Sequence, residues 1–322
     1  MKKRIPLSSL ALASLLLPMS LPSHAASSQD ITLRFSGEFN GQPADCSTEY
    51  PNIGLKETTV SLADYRLYVS RVRLIDSDGL EIPVTLADHG PWQHGDVALL
   101  DFEDGSGNCS NGTAPTNHEI RGQVPMGDYR GVAFDIGVPF DSNHQDPTLA
   151  ASPLNLTALF WNWRGGYRFM RLDLLPEGEM IQSEPAASNG HTASQQAKAV
   201  VSAASESGKP RQAMNKGKGA HGKAGWAVHL GSTACKADSP TNSPQSCGSP
   251  NRVELRFAQA DPLESVFVID PAKVLADSDL TRNTRGTSPG CMSAPDDPEC
   301  DSILAALGLS ASGGTQALVS VR

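Results

Sequence analysis

Seven histidines lie beyond Ala25, at positions 89, 94, 118, 144, 191, 221 and 229. Neutral imidazole is a borderline nitrogen donor suited to copper and zinc, so two or three well-placed rings are enough for a metal site. His144 sits in Phe140-Asp-Ser-Asn-His-Gln-Asp-Pro147, a loop leaving an expected strand, and His229 sits inside the apolar run Trp226-Ala-Val-His-Leu230. An imidazole on a strand is more often a satisfied core or edge group than a ligand, so both readings stand at this point. His118, just before Glu119, is read as structural. His89 and His94 flank Trp92 in a Gly/Pro loop that reads as a solvated turn, and His191 and His221 fall in a polar low-complexity stretch. Trp161 and Trp163 are by default buried sheet residues. The chain has no Walker loop, HExxH or CxxCH, so an enzyme with familiar machinery is not indicated.

These side chains need strands to position them. Ile31-Thr-Leu-Arg-Phe-Ser-Gly-Glu-Phe39 alternates apolar and polar residues at the two-residue period of a half-buried strand, and Tyr65 to Ile75 does so less cleanly. Similar short runs cover 97–102, 129–136, 154–163, 167–174, 226–230, 253–257 and 266–269, separated by Gly, Pro, Asn and Asp. The pattern predicts an all-β fold, an antiparallel β-sandwich, with short helices near the C-terminus after Asp270 and over Asp301–Leu307. In Leu159-Phe-Trp-Asn-Trp-Arg-Gly-Gly-Tyr167, Gly165-Gly166 suits a tight primed turn, which would set Trp161 and Trp163 on one face of the preceding strand. From Ile181 to Gly222 the composition turns to Ala, Ser, Gln, Gly and Lys. That stretch has too little apolar surface to offset its ordering entropy and is expected to be a disordered insertion within one domain spanning 26–322.

The compartment follows from the ends and the cysteines. Lys2, Lys3 and Arg4 precede an apolar stretch to Leu21, and Ser23-His24-Ala25 offers a cleavage site, so a signal peptide cut after Ala25 and a periplasmic or secreted protein are expected. The formal net charge of −9 becomes −12 once those three basic residues are gone, which disfavours nucleic acid and anionic membranes as partners. Six cysteines, an even number, read as up to three disulfides in an oxidising compartment. Local bridges Cys235–Cys247 and Cys291–Cys300 are the simplest choice and leave Cys46 with Cys109. Zinc held by thiolates is a poorer reading, since no CxxC occurs.

Four segments in order, Gly137-Val-Pro-Phe-Asp-Ser-Asn-His-Gln-Asp-Pro147, Phe160-Trp-Asn-Trp-Arg-Gly-Gly-Tyr-Arg-Phe169, Val228-His-Leu-Gly-Ser-Thr-Ala-Cys235 and the distant Cys247, resemble the MbnP-like family of periplasmic metallo-mystery-pair proteins with a four-Cys motif. The motif matches Cys46, Cys109, Cys235 and Cys247, with Cys291 and Cys300 as an additional bridge. The resemblance implies a β-sandwich exported with a di-haem partner similar to MauG and bacterial cytochrome c peroxidases. It further implies that the partner oxidises a tryptophan to kynurenine and that the product binds copper. Carried onto this chain, the modified residue is Trp161 or Trp163 and the metal ligands are His144 and His229. Two other readings are an extracellular β-sandwich adhesion or carbohydrate-binding module without metal, and a substrate whose redox role with the haem partner matters more than copper.

Overall fold

In the computed structural model, which describes residues 27–185, 225–239, 242–311 and 313–322, strand β1 (Ser28–Phe39) buries Ile31, Leu33 and Phe35 and exposes Thr32 and Arg34, as the alternation requires. The expected signal peptide and most of the expected insertion lie outside the described residues. The next strands are β2 (Thr58–Asp76), β3 (Val97–Asp101), β4 (Glu119–Pro125) and β5 (Tyr129–Ile136). They are followed by a hairpin of β6 (Phe160–Asn162) and β7 (Gly166–Tyr167), then β8 (Met170–Pro176) and β9 (Ile181–Ser183). Beyond residue 224 come β10 (Trp226–Leu230), β11 (Thr233–Lys236), β12 (Ser246–Ser249), β13 (Val253–Phe257) and β14 (Val266–Ile269). β15 (Arg282–Thr284), β16 (Gly290–Cys291) and β17 (Val319–Val321) follow, and a few shorter strands at the sheet edges are left unlabelled.

One sheet runs β17-β14-β1-β4 and the other β13-β5-β2-β8-β10-β16. The 19-residue β2 organises the second sheet. Its Val69–Asp76 half pairs with β5 and its Val60–Leu67 half with β8, while β3 takes the opposite edge at Arg66–Ser70. Phe35 and Phe267 of the first sheet meet Phe134 and Phe257 of the second, with ring centroids 5.3 to 5.9 Å apart. Phe35, Phe134 and Phe267 are buried, and each contributes on the order of 2–3 kcal/mol of apolar transfer, to which the edge-on contacts add. The expected β-sandwich is what the chain forms. Most pairings are antiparallel, but β1–β14, β9–β15 and β10–β16 are parallel.

Both expected helices near the C-terminus form. Pro271–Lys273 is a 3-10 turn capped by Asp270, which accepts from Ala272 N, and α2 below covers Cys300–Ala306 before Gly308 at φ +73°. A four-residue helix over Phe140–Asn143, here α1, precedes His144, and Cys300–Ala306 is α2. One boundary is corrected. Ile181–Ser183, assigned by composition to the insertion, is β9, because its backbone pairs with Arg282–Thr284 and supplies the ordering that its own side chains do not. The three bridges are Cys46–Cys109, Cys235–Cys247 and Cys291–Cys300, as expected.

Candidate metal centre

The site is built on the outward face of β8 and β10. On β10, Trp226, Val228 and Leu230 point into the core, so Ala227 and His229 point out. On β8, Met170, Leu172 and Leu174 are buried, leaving Arg171 and Asp173 outward, and register sets Arg171 opposite His229 and Asp173 opposite Ala227. His229 Nε2 lies 2.6 Å from Asp173 Oδ1, and Arg168 Nε donates to His229 Nδ1 at 3.2 Å. Since a guanidinium only donates, Nδ1 is the acceptor and the ring proton sits on Nε2, held by Asp173. Burial alone would raise the Asp173 carboxyl, but the His229 hydrogen bond, with the Arg171 charge, outweighs it and lowers the group to about 2.

Behind Asp173 a chain of charges runs inward. Arg171 joins Asp173 at 2.6 Å and Asp64 at 3.1 Å; Asp64 pairs with Arg66, and Arg66 lies 3.7 Å from Glu103. Asp64 and Arg66 are buried, where an unpaired charge is costly and a hydrogen-bonded pair is tolerated. The base of the site is thereby fixed.

The tryptophan hairpin closes the other side. β6 pairs Phe160 with Tyr167 and Asn162 with Gly166, so the loop is Trp163-Arg164-Gly165, with Gly166 at φ +75°. The expected two-residue Gly165-Gly166 turn is corrected. Asn162 Oδ1 accepts from both Arg164 N and Gly165 N at 2.9 Å, which bends the chain one residue earlier and takes Trp163 out of the strand. The two indoles therefore do not share a strand face. Trp161 lies against His229, with ring centroids 6.5 Å apart, and beneath the Arg168 guanidinium at 5.7 Å. Trp163 instead stacks with Arg164 at the loop.

His144 stands behind the hairpin. Asn143 Oδ1 accepts from Tyr167 N at 2.8 Å, tying α1 to the hairpin, and His144 Nδ1 lies 3.3 Å from Trp163 O. As a neutral ring, which burial favours by lowering its pKa against the Trp163 hydrogen bond, its Nδ1–H donates to that carbonyl and Nε2 is left as the acceptor. Nε2 is 3.3 Å from Asn143 Nδ2 and 3.5 Å from Cys247 Sγ. His144, Cys235 and Cys247 thus cluster, but both sulfurs are spent in a disulfide, and cystine sulfur is not a thiolate ligand.

Trp161, Arg168, His229, Cys235 and Met292 line one pocket of about 670 Å³. His144 and Trp163 do not line it. An imidazole oriented by a carboxylate is the usual supporting arrangement of a metal-binding histidine. The donor set therefore fits a nitrogen-seeking, soft-tolerant ion such as copper, provided Arg168 Nε yields Nδ1. Among the remaining histidines, His118 packs on Phe102 at 5.0 Å, His94 faces Asp88 and His89 faces Glu119, while His191 and His221 lie outside the described residues. Asp173, Arg168 and Met292 escaped the sequence reading. Only strand register brings them to His229, although the alternation of β8 does mark Asp173 as outward-facing.

Among known proteins, the sequence model named MbnP matches residues 28–293. The solved structure of MbnP from Methylosinus trichosporium superposes with a TM-score of 0.70 at 27% identity, covering 92% of this chain and 98% of that one. No curated protein matches the chain.

Proposed function

The chain belongs to the MbnP family, and from that premise we propose that it is a periplasmic copper-binding protein whose Trp161 is oxidised to kynurenine by a di-haem, MauG- or peroxidase-like partner. The observation that carries this reading is the meeting of Trp161 and His229 in one pocket. An indole nitrogen keeps its lone pair in the ring and ligates metals poorly. Cleavage of the indole C2–C3 bond is a four-electron oxidation that takes one oxygen atom from each of two equivalents of peroxide, which leave as two waters, and hydrolytic loss of the formyl carbon as formate leaves a free arylamine. That amine arises beside His229, whose Nε2–H is already held by Asp173. His144, the second imidazole of this reading, does not line that pocket: its Nε2 faces Cys247 Sγ, and the Cys235–Cys247 bridge stands between it and the copper held at His229. Trp163 contributes its backbone carbonyl to His144 and keeps its indole. Copper in this reading is cargo to be stored or passed on. This chain contributes binding and orientation, and the partner contributes the oxidation.

The test is co-expression with and without the partner, followed by mass mapping of the peptide that carries Trp161 and by Cu(I) titration. The Trp161 peptide is expected to lose one carbon and gain one oxygen only with active partner. His229→Ala and His144→Ala should each weaken Cu(I) binding about tenfold or more. An unmodified Trp161 in the presence of active partner refutes the oxidation, and a double histidine variant that binds as wild type refutes the ligand assignment.

A further inference from the structure

Arg168 joins the tryptophan hairpin to β8 and lies across the two side chains that the pocket brings together. Tyr167 and Phe169 on either side of it are buried, which turns the guanidinium outward to line the pocket. Its backbone N–H donates to Leu159 O at 2.8 Å, and Nη1 donates to Ala158 O at 2.9 Å and to Phe160 O at 3.2 Å. These carbonyls hold the fork from the hairpin side. Nε then donates to His229 Nδ1 at 3.2 Å, and the guanidinium carbon stands 5.7 Å from the centre of the Trp161 ring.

Both ring nitrogens of His229 are therefore engaged, Nε2 by Asp173 and Nδ1 by Arg168. An ion placed at the roughly 2 Å of a metal–imidazole bond from Nδ1 would overlap the guanidinium, so the two are alternatives. Charge strengthens the exclusion. Among the described residues the pocket is lined by Arg164 and Arg168 and by no carboxylate, so nothing at its wall neutralises a cation that enters while Arg168 is in place. Burial and the neighbouring Arg171 charge lower the Arg168 pKa, yet a guanidinium stays protonated in proteins. It leaves Nδ1 by moving, not by titrating. What Trp161 offers against that movement is a face. Indole is the best aromatic partner of a cation, and the guanidinium rests within the about 6 Å over which the attraction acts. Opening the indole leaves a single ring conjugated to a ketone, which draws electron density from that face and weakens its hold on the cation.

We propose that Arg168 is a latch that keeps His229 Nδ1 from metal while Trp161 is intact and is released when Trp161 is oxidised. The inference rests on the copper reading above and adds to it the residue that closes the site in the unoxidised chain. The first measurement uses metal-free exported protein made without the partner. Nitrogen NMR should show a scalar coupling between Arg168 Nε and His229 Nδ1 across their hydrogen bond, and the coupling should be lost once Trp161 is oxidised. A site that is open only part of the time loses apparent affinity by that fraction, so Arg168→Met made without the partner should bind Cu(I) about tenfold tighter than wild type made the same way. Trp161→Leu can form no arylamine, and should gain about threefold through loss of the stack alone. Absence of the coupling in unoxidised wild type overturns the proposal without any variant, and so does a coupling that persists after oxidation. A folded Arg168→Met protein that binds Cu(I) no tighter than unoxidised wild type overturns it as well, and Trp161→Leu decides in its place should Arg168→Met not fold. These outcomes, with oxidised wild type still binding Cu(I), leave the copper reading standing. Failure of oxidised wild type to bind Cu(I) at all overturns that reading and the latch with it.

Discussion

Asp101 is the residue whose charge is least at home. It lies at the end of β3 with its carboxylate buried, and burial first, then the Glu103 carboxylate, push its pKa up to about 8 against the pull of Arg66. The folded state therefore binds a proton that the unfolded chain releases between about pH 4 and about pH 8, and stability falls as pH rises through that window. Asp101→Asn keeps an acceptor for the Glu103 N–H and cannot ionise. Its stability relative to wild type should climb across that window, by on the order of 2–4 kcal/mol at the alkaline end. Urea denaturation of both proteins at about pH 5 and about pH 9 measures this, and a difference that ignores pH would sink the assignment. Nearer the candidate metal centre, a residue invisible as chemistry in the sequence carries much of the order: Asp173 holds the His229 Nε2–H and joins it to Arg171 and Asp64.

At the scale of elements, the approach of β10 to the tryptophan hairpin depends on Gly231. A Cβ there would stand 2.5 Å from Trp161 Cζ3 and 2.7 Å from Tyr167 O, and the carbonyl cannot move without breaking the hairpin. Gly231→Ala should therefore displace the indole and cost about 1–3 kcal/mol by overpacking. Gly225→Ala, whose Cβ would meet only Leu174 O at 3.7 Å, serves as the control. A Trp161 fluorescence and urea midpoint equal in both variants would refute the close-contact account. The same elements mark how much the sequence reveals. Alternation and turn residues expose β1, β8 and β10, and with them the outward position of His229, because period-two patterns are local. Trp163 is misread because Asn162 ends the strand through its own side chain, a contest between local hydrogen bonding and strand periodicity that spacing cannot decide. Met292 is hidden for a different reason: it reaches His229 through a parallel pairing between segments far apart in the chain, which no short motif announces.

The whole molecule is held by bridges of unequal reach. Cys46–Cys109 spans 63 residues and Cys291–Cys300 spans 9, so loop-closure entropy assigns the first about 4 kcal/mol and the second about 3 kcal/mol. Replacing Cys46 and Cys109 together by Ala should lower stability more than replacing Cys291 and Cys300. The latter pair should instead show its larger effect on copper binding, since it anchors the Met292 segment. Paired urea and Cu(I) titrations check both expectations, and equal effects on both quantities would contradict them. The first sheet carries a further consequence. Arg34 on β1 donates to Leu263 O, 229 residues away, and β1 pairs in parallel with β14 just beyond. Contacts of such sequence separation form late, because the intervening chain must be ordered before they reward it. The tryptophan hairpin closes across only three residues, so its own pairing has far less loop entropy to overcome, and the indoles are expected to be presented before the sandwich has a finished interior.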